Sequence, residues 1–430
     1  MLTLAVVVFL VLMIAGLDVG FSMLAGALIG LLLKTDLITD VVVVPLTMHN
    51  NVDVVALIAV PLFVLAGEFM NQGGVTRRLI EWSMAMVGHW RGSLSQVSVV
   101  TNFIMAGISG SAVADASAIG AAMLPSMKEE GYRPGYAGAV IAAGAMLGPI
   151  IPPSIPMIVY AVVANASVIR LFLSGVVPGI MLTIGYMALC WIFARRHGYP
   201  TRQRSTWRER ATITRKSIWA LIMPVIIVLG IRSGLFTDTE ASAVIALYAL
   251  FIGVIVYREL PVRNMPAVFY QGARTAGVIL FLLAASGPFA WLLSESQISE
   301  GIADAVLSVT HNPFLAMMMV NVVLLILGTI LEPLPAMIIA TPALLPLQHA
   351  IGADPTFFGL VIVLNLMTGM LHPPMGLLLF VVAGVGKIPI LSISVSILPF
   401  MAWAIVVLVL VTAFPALAIW LPNLIIGAAM

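Results

Sequence analysis

A long apolar segment of this chain is interrupted at residues 148–154, where the sequence reads GPIIPPS. A second interruption, GMLHPPM, lies 221 positions further on, at residues 369–375. A helix cannot continue through two consecutive prolines, because each lacks an N–H and its ring collides with the preceding turn. The carbonyls around both breaks therefore lose their helical partners, and the sequence predicts two broken helices.

Composition places these breaks in a lipid bilayer. Hydrophobic residues make up 61% of the 430 residues and charged residues 9%, against about 25% charged residues in an ordinary soluble domain. The apolar segments are long and lack the short alternating pattern of outer-membrane barrels. We therefore expect an all-α polytopic membrane protein with about ten or more helical spans. At membrane depth, unpaired carbonyls are tolerated only where they face protein, water or an ion.

Positive charge is concentrated in the middle of the chain. Eight of the twenty Lys and Arg residues fall within residues 195–216. By the positive-inside rule this connection is cytoplasmic, which explains the charge better than a nucleic-acid partner does. It divides the chain into a first half, residues 1–194, and a second half, residues 217–430. The single cysteine, Cys190, excludes an internal disulfide and any multi-cysteine metal site.

The two breaks belong to a duplicated unit. At an offset of 221, eight of the thirteen Gly and Pro positions between residues 107 and 153 coincide, where composition alone gives about one. The identical pairs are Gly107/Gly328, Pro125/Pro346, Gly131/Gly352, Pro134/Pro355, Gly138/Gly359, Gly148/Gly369, Pro152/Pro373 and Pro153/Pro374. The match does not itself distinguish parallel from inverted copies, but transporters with two broken helices commonly use inverted copies.

Each unit is predicted to contain a hairpin followed by a broken helix. The hairpins lie at about residues 93–127 and 313–349, and the broken helices at about residues 135–165 and 356–386. A membrane span needs about 20 apolar residues, and the hairpin arms are shorter. We therefore expect both hairpins to be re-entrant, entering and leaving the membrane on one side.

The first hairpin tip reads GISGSAVAD at residues 107–115. Small residues let the backbone approach a bound species closely, and the helix that starts there has unpaired N–H groups. Such an N-terminus is a seat for an anion, while nearby carbonyls and hydroxyls suit Na⁺. The alternative is a small-residue contact between helices.

The second tip reads GTILEPLP at residues 328–335. Glu332 followed by Pro333 fits the start of a helix, and its carboxylate is either a functional ligand or a structural cap. His372, inside the second break, is either a proton relay or a side chain oriented by one backbone hydrogen bond. Glu68, at the end of an apolar segment, either reaches the membrane interface or has a role in function.

Four stretches resemble the large membrane subunit of tripartite ATP-independent periplasmic (TRAP) transporters. They are PLFVLAG at 61–67, GISGSAVAD with Gly120, PIIPPS at 149–154, and Thr239-Glu240-Ala241. The resemblance covers nearly the whole chain. It implies an elevator-type transporter with two inverted repeats, in which a transport domain of hairpins and broken helices moves against a scaffold domain.

The resemblance also implies the activity and the partners. We expect sodium-coupled import of a small organic acid, such as a C4-dicarboxylate or sialic acid, handed over by a periplasmic binding protein. The chain is expected to be multi-pass in the bacterial inner membrane. It is further expected to pair with a small four-helix membrane subunit that is a separate chain, since no four-helix block precedes Met1.

Site residues follow from the same resemblance. One sodium site is expected to use Ser109, Gly110 and Ser111 with the carbonyls of Gly148 and Pro149. The second is expected to use Gly328, Thr329 and Glu332 with Thr368, Gly369 and Met370. Because four helix ends converge near the midplane, the substrate is expected between the two tips and the two breaks, in contact with Ser111, Asp115, Pro152, Ser154, Glu332 and His372. Sodium is the one metal ion expected, and no transition-metal site is predicted.

Two alternatives remain from the sequence. A sodium-coupled anion carrier without a binding protein would share the hairpins. An intramembrane enzyme using Glu332 and His372 is a different class, but a duplicated broken-helix unit is an architecture for transport. We therefore expect no enzymatic activity.

Overall fold

The computed structural model describes residues 2–32, 37–232 and 236–427. These residues form α-helices joined by short connections, and no strand occurs among them. The helices of the first half are α1 (Leu2–Ile14), α2 (Val19–Leu32), α3 (Leu37–Val52), α4 (Ala59–Gln72), α5 (Val75–Val87), α6 (Ser93–Ser109), α7 (Ala112–Glu129), α8 (Pro134–Ala145), α9 (Ile155–Val163) and α10 (Val168–His197). Those of the second half are α11 (Trp207–Arg232), α12 (Asp238–Phe251), α13 (Met265–Glu295), α14 (Ile298–Val309), α15 (Pro313–Ile330), α16 (Pro333–Ala350), α17 (Pro355–Gly369), α18 (Leu377–Gly386), α19 (Ile390–Ala413) and α20 (Ala416–Ile426).

The surface of the protein is apolar, as lipid contact requires. Large side chains such as Ile184, Leu247 and Val395 are more than 60% exposed, which a soluble protein rarely tolerates over a wide area. Six helical segments of the described chain are long and apolar enough to cross a membrane. They are Val55–Gln72, Val168–His197, Thr239–Val256, Val262–Glu295, Pro313–Ile330 and Ile390–Ala413. The predicted all-α membrane fold is confirmed, although the described chain has six such segments where about ten or more spans were expected.

Both hairpins are pairs of helices joined by a tip of two residues. In the first, α6 ends and α7 begins on either side of Gly110 and Ser111. Gly110 has a φ of +62°, a left-handed conformation that glycine adopts without strain. In the second, α15 is long and apolar enough to span, so the prediction that the hairpin arms are shorter than a span is wrong for this arm. The chain nevertheless turns at Leu331 and Glu332 into α16.

Both broken helices are interrupted at the double prolines. Residues 146–154 separate α8 from α9, and residues 370–376 separate α17 from α18. In the first break, the Ser154 hydroxyl accepts a hydrogen bond from the Met157 N–H at 3.2 Å and donates one to the Pro149 carbonyl. These bonds replace helical partners that the prolines removed.

The two units have inverted orientations. Three of the six apolar segments named above lie between the two hairpins: Val168–His197, Thr239–Val256 and Val262–Glu295. In the described chain, the α8 and α9 pair and α11 bring the number to five when each is counted as one crossing. An odd number of crossings places the two bases on opposite faces of the membrane, which is the arrangement of inverted repeats.

The two units interlock in one body, which we call the hairpin body (α6–α10 and α15–α20). The second segment of each broken helix packs against the hairpin of the other unit: α18 against α7, and α9 against α16. The Tyr160 hydroxyl of α9 donates to the Pro355 carbonyl of α17 at 3.1 Å. Because each hairpin packs against a helix of the other unit, neither hairpin has a hydrophobic core of its own.

The remaining long helices form a second group, which we call the outer layer (α1–α5 and α11–α13). Within it, α13 packs along α2, α3 and α4, and α12 packs on α4. The Trp82 indole of α5 donates to the Thr214 hydroxyl at 3.2 Å, which places α5 beside the basic connection. That end of the outer layer is therefore the cytoplasmic end by the positive-inside rule.

Candidate functional site

A cavity of about 750 Å³ lies where the hairpin body meets the outer layer. Its wall is formed by both hairpin tips, the first break, α4 and α13. The end of α17, which is the first segment of the second broken helix, also contributes. Its polar and charged lining residues are Glu68, Asn71, Ser109, Ser111, Ser117, Gln271, Arg274, Thr275 and Glu332. The volume falls in the range that binds small molecules.

The first tip presents the start of α7 to the cavity. Ser111 is the N-cap of that helix, and its hydroxyl accepts from the Ala114 N–H at 3.4 Å. The tip packs directly on the first break, since a Cβ at Gly110 would lie 2.8 Å from the Pro153 carbonyl oxygen. The first turn of α7, with Ala112 and Val113, also lines the cavity. This geometry fits an anion held at a helix N-terminus.

Asp115 lies behind this tip rather than in the cavity wall. The residue is fully buried, and neither carboxylate oxygen makes a hydrogen bond of ordinary geometry in the described structure, although the Ser109 hydroxyl lies nearby. A Cβ at Gly148 would lie 2.7 Å from Asp115 Oδ2 and 3.2 Å from the Ser111 carbonyl carbon. The carboxylate therefore faces the predicted first sodium site, whereas the sequence predicted a substrate contact. A buried carboxylate with so little hydrogen bonding calls for a bound cation or a proton.

The second tip exposes its carboxylate to the cavity. Glu332 occupies the N-cap position of α16 with Pro333 after it, but its side chain makes no capping hydrogen bond. The structural-cap alternative is therefore wrong. Glu332 lines the cavity together with Met370 at the end of α17.

The other residues of the predicted second sodium site also meet at this tip. A Cβ at Gly369 would lie 2.6 Å from the Gly328 carbonyl carbon, so α15 and α17 touch backbone to backbone. The Thr329 hydroxyl donates to the Leu325 carbonyl at 2.8 Å, and the Thr368 hydroxyl donates to the Leu364 carbonyl at 2.7 Å. Both hydroxyl oxygens keep lone pairs with which to accept or to bind an ion.

Besides Asp115, three predicted substrate contacts are not in the cavity lining: Pro152, Ser154 and His372. Ser154 is fully buried and its hydroxyl is used within the first break. His372 is exposed elsewhere, and its backbone carbonyl accepts from the Gly376 N–H at 2.8 Å. Glu332 and His372 therefore do not share a cavity, which removes the paired groups that the enzyme alternative needs.

Sequence reasoning singled out Glu68 but missed the rest of the contribution of the outer layer. Glu68 and Asn71 reach the cavity from α4, and Gln271, Arg274 and Thr275 reach it from α13. The α13 residues that line it are spaced three or four apart, which is one helical face. Polar residues on one face of an otherwise apolar helix are the signal that would have found them.

Comparison with known proteins agrees with this architecture. Residues 6–417 match the family described as the tripartite ATP-independent periplasmic transporter, DctM component. The chain is 37% identical to the sialic acid TRAP transporter large permease protein of Vibrio cholerae, covering 97% of both chains. It is 36% identical to the C4-dicarboxylate TRAP transporter large permease protein of Rhodobacter capsulatus, covering 96% of this chain and 97% of that one.

A solved structure supports the fold. The YdaH transporter of Alcanivorax borkumensis is similar with a TM-score of 0.54 and 13% identity, covering 90% of this chain and 91% of that one. The family and the named relatives are permeases, and the chain is accordingly a membrane transport protein and not an enzyme. On the match over nearly its whole length, the chain belongs to the family of large permease components of TRAP transporters.

Proposed function

We propose that this permease imports a small organic acid together with sodium ions, receives the acid from a periplasmic binding protein, and moves it by an elevator mechanism. The observation that carries the proposal is the cavity of about 750 Å³ into which both hairpin tips project. Two kinds of helix end meet there: N-termini, which suit an anion, and carbonyl-rich ends, which suit Na⁺. The same arrangement occurs in other transporters with broken helices.

Sodium coupling is supported by the surroundings of Asp115. Its unpaired, fully buried carboxylate faces Gly148 and the backbone of Ser111. Oxygen ligands of this kind are those that a hard cation prefers. We assign the first sodium ion to Ser109, Gly110, Ser111, Gly148 and Pro149 with Asp115, and the second to the group around Gly328, Gly369 and Glu332.

The elevator mechanism is supported by the division of the cavity wall. The tips and breaks belong to the hairpin body, whereas α4 and α13 belong to the outer layer. Movement of the hairpin body as a unit would carry the site across the membrane and keep its polar tips away from lipid. Movement of one hairpin by itself would break the packing of α7 on α18 or of α16 on α9.

The partners follow from the family. We propose a periplasmic binding protein, a separate small membrane subunit of four helices, and residence in the bacterial inner membrane. The substrate class is supported by two relatives, which are named for sialic acid and for C4-dicarboxylates. Both are small anions with carboxylate groups.

Transport in proteoliposomes tests the proposal. The permease, its small subunit and its binding protein are reconstituted, and uptake of the acid is measured with and without an inward Na⁺ gradient. We expect uptake only when both the gradient and the binding protein are present. Uptake driven by sodium without the binding protein would favour the simpler anion carrier, and full uptake without either would overturn the mechanism.

A further inference from the structure

We propose that Arg274 holds the substrate carboxylate, and that the substrate is a hydroxylated acid with a single carboxylate rather than a dicarboxylate. This inference rests on the proposed function, since it concerns the acid that occupies the same cavity. Among the described residues that line the cavity, Arg274 is the one cation. It makes no ion pair and no hydrogen bond within the described chain, so its guanidinium is available to a ligand.

The position of Arg274 follows from the packing of α13 on α4. Gly272 faces Leu65, where an added Cβ would lie 3.1 Å from the leucine side chain, and the rings of Phe269 and Phe69 lie 5.4 Å apart. The two helices are therefore antiparallel, and Arg274 lies about one turn beyond the level of Gly67.

That level is where the first tip touches the outer layer. A Cβ at Gly67 would lie 3.6 Å from the Ser109 carbonyl oxygen. Side chains on a helix lean toward its N-terminus, and for Arg274 this direction leads back toward the level of Gly67. The guanidinium and the N-terminus of α7 thus face one region of the cavity, where both favour a carboxylate.

The other charged residues that line the cavity are acidic. They are Glu68, which follows Gly67 on α4, and Glu332 at the second tip. A sodium ion beside Glu332 would still leave these two carboxylates with a net negative charge. The second carboxylate of a dicarboxylate would therefore meet repulsion, or would have to share Arg274 with the first.

Apart from Arg274, Glu68 and Glu332, the polar lining suits hydroxyl groups. It consists of neutral side chains that both donate and accept hydrogen bonds: Asn71, Ser109, Ser111, Ser117, Gln271 and Thr275. The volume of about 750 Å³ exceeds what a four-carbon diacid fills. One cation, several neutral hydrogen-bonding groups and this volume together fit a sugar acid.

Binding to the purified permease and small subunit in nanodiscs tests the inference, because the binding protein, which has its own selectivity, is left out. The probes are N-acetylneuraminate, D-gluconate, the neutral D-gluconamide and succinate, each titrated in the presence of NaCl. We expect at least one of the two monocarboxylates to bind at least tenfold more tightly than succinate. We expect Arg274→Gln to weaken that binding about tenfold or more, and Arg274→Lys to restore part of it.

Comparison of D-gluconate with D-gluconamide shows whether Arg274 contacts the substrate carboxylate or only maintains the shape of the cavity. Arg274→Gln should abolish the preference for gluconate over gluconamide, whereas a distorted cavity would weaken both equally. Arg263→Gln, on the turn before α13 and outside the cavity, is the matched control and should change neither. Tighter binding of succinate than of either monocarboxylate, no binding of either monocarboxylate, or an unchanged preference in Arg274→Gln would overturn the inference. The proposed function fails separately, if the reconstituted system shows no sodium-driven uptake of any acid.

Discussion

The two hairpin tips occupy equivalent places in the repeat, yet they differ in chemistry. At the first tip, the Ser111 side chain caps α7, and the carboxylate of Asp115 is buried behind it. At the second tip, Glu332 holds the N-cap position without capping, and its carboxylate faces the cavity. Duplication therefore preserved the backbone arrangement while the placement of the acidic group diverged. One tip has a charge closed off from solvent, and the other has a charge open to the ligand.

The largest expected difference between the tips concerns the glycines of the two breaks. In Gly369→Ala the new methyl meets the Gly328 backbone at 2.6 Å, whereas in Gly148→Ala its nearest neighbour is the Asp115 side chain at 2.7 Å. Backbone cannot move aside as a side chain can. We expect Gly369→Ala to lower the free energy of unfolding by about 3 kcal/mol and Gly148→Ala by about 1 kcal/mol, measured by thermal denaturation of the purified protein.

A matched control exists in α18. An added Cβ at Gly384 meets nothing within 4 Å, so Gly384→Ala should leave stability unchanged or slightly raised. Equal losses for Gly369→Ala and Gly148→Ala would show that the second tip is no more closely packed than the first.

The next effect concerns sodium. Asp115→Asn removes the buried charge, and we expect it to raise the half-saturating Na⁺ concentration for uptake at least tenfold, because a dehydrated cation depends on a buried counter-charge. Ser111→Ala and Glu332→Gln should raise it severalfold, since the hydroxyl is neutral and the Glu332 carboxylate is open to the cavity. Uptake against Na⁺ concentration in proteoliposomes measures all three.

The ranking of these variants is informative. A larger effect in Glu332→Gln than in Asp115→Asn would place the main ion site at the second tip. Unchanged sodium curves in all three variants would remove both proposed ion sites.

The smallest effect concerns capping. Ser111→Ala deletes a capping hydrogen bond, so we expect the free energy of unfolding to fall by about 1 kcal/mol. Glu332→Gln deletes no such bond and should change it by less than about 0.5 kcal/mol. Ser117→Ala is the control, because its hydroxyl bonds only the Val113 carbonyl of its own helix. Destabilisation by Glu332→Gln as large as that by Ser111→Ala would restore the structural-cap alternative for the second tip.

The sequence by itself determined the membrane class, the two broken helices and the duplicated unit. These properties depend on local chemistry: consecutive prolines end a helix wherever they occur, and an apolar chain partitions into lipid. Positions of Gly and Pro at a fixed offset report the repeat without any knowledge of contacts. The tips at Gly110 and Glu332 were likewise visible, because turn and helix-start signals are local.

Only the tertiary structure decided which side chains meet. Asp115, Ser154 and His372 all lie near the tips or breaks in the sequence, yet Asp115 faces Gly148, Ser154 is used within its own break, and His372 lies outside the cavity. Arg274 and Glu68 joined the site from helices that are remote in the chain. Orientation around a helix axis and packing between distant helices depend on long-range contacts, which spacing and composition do not record.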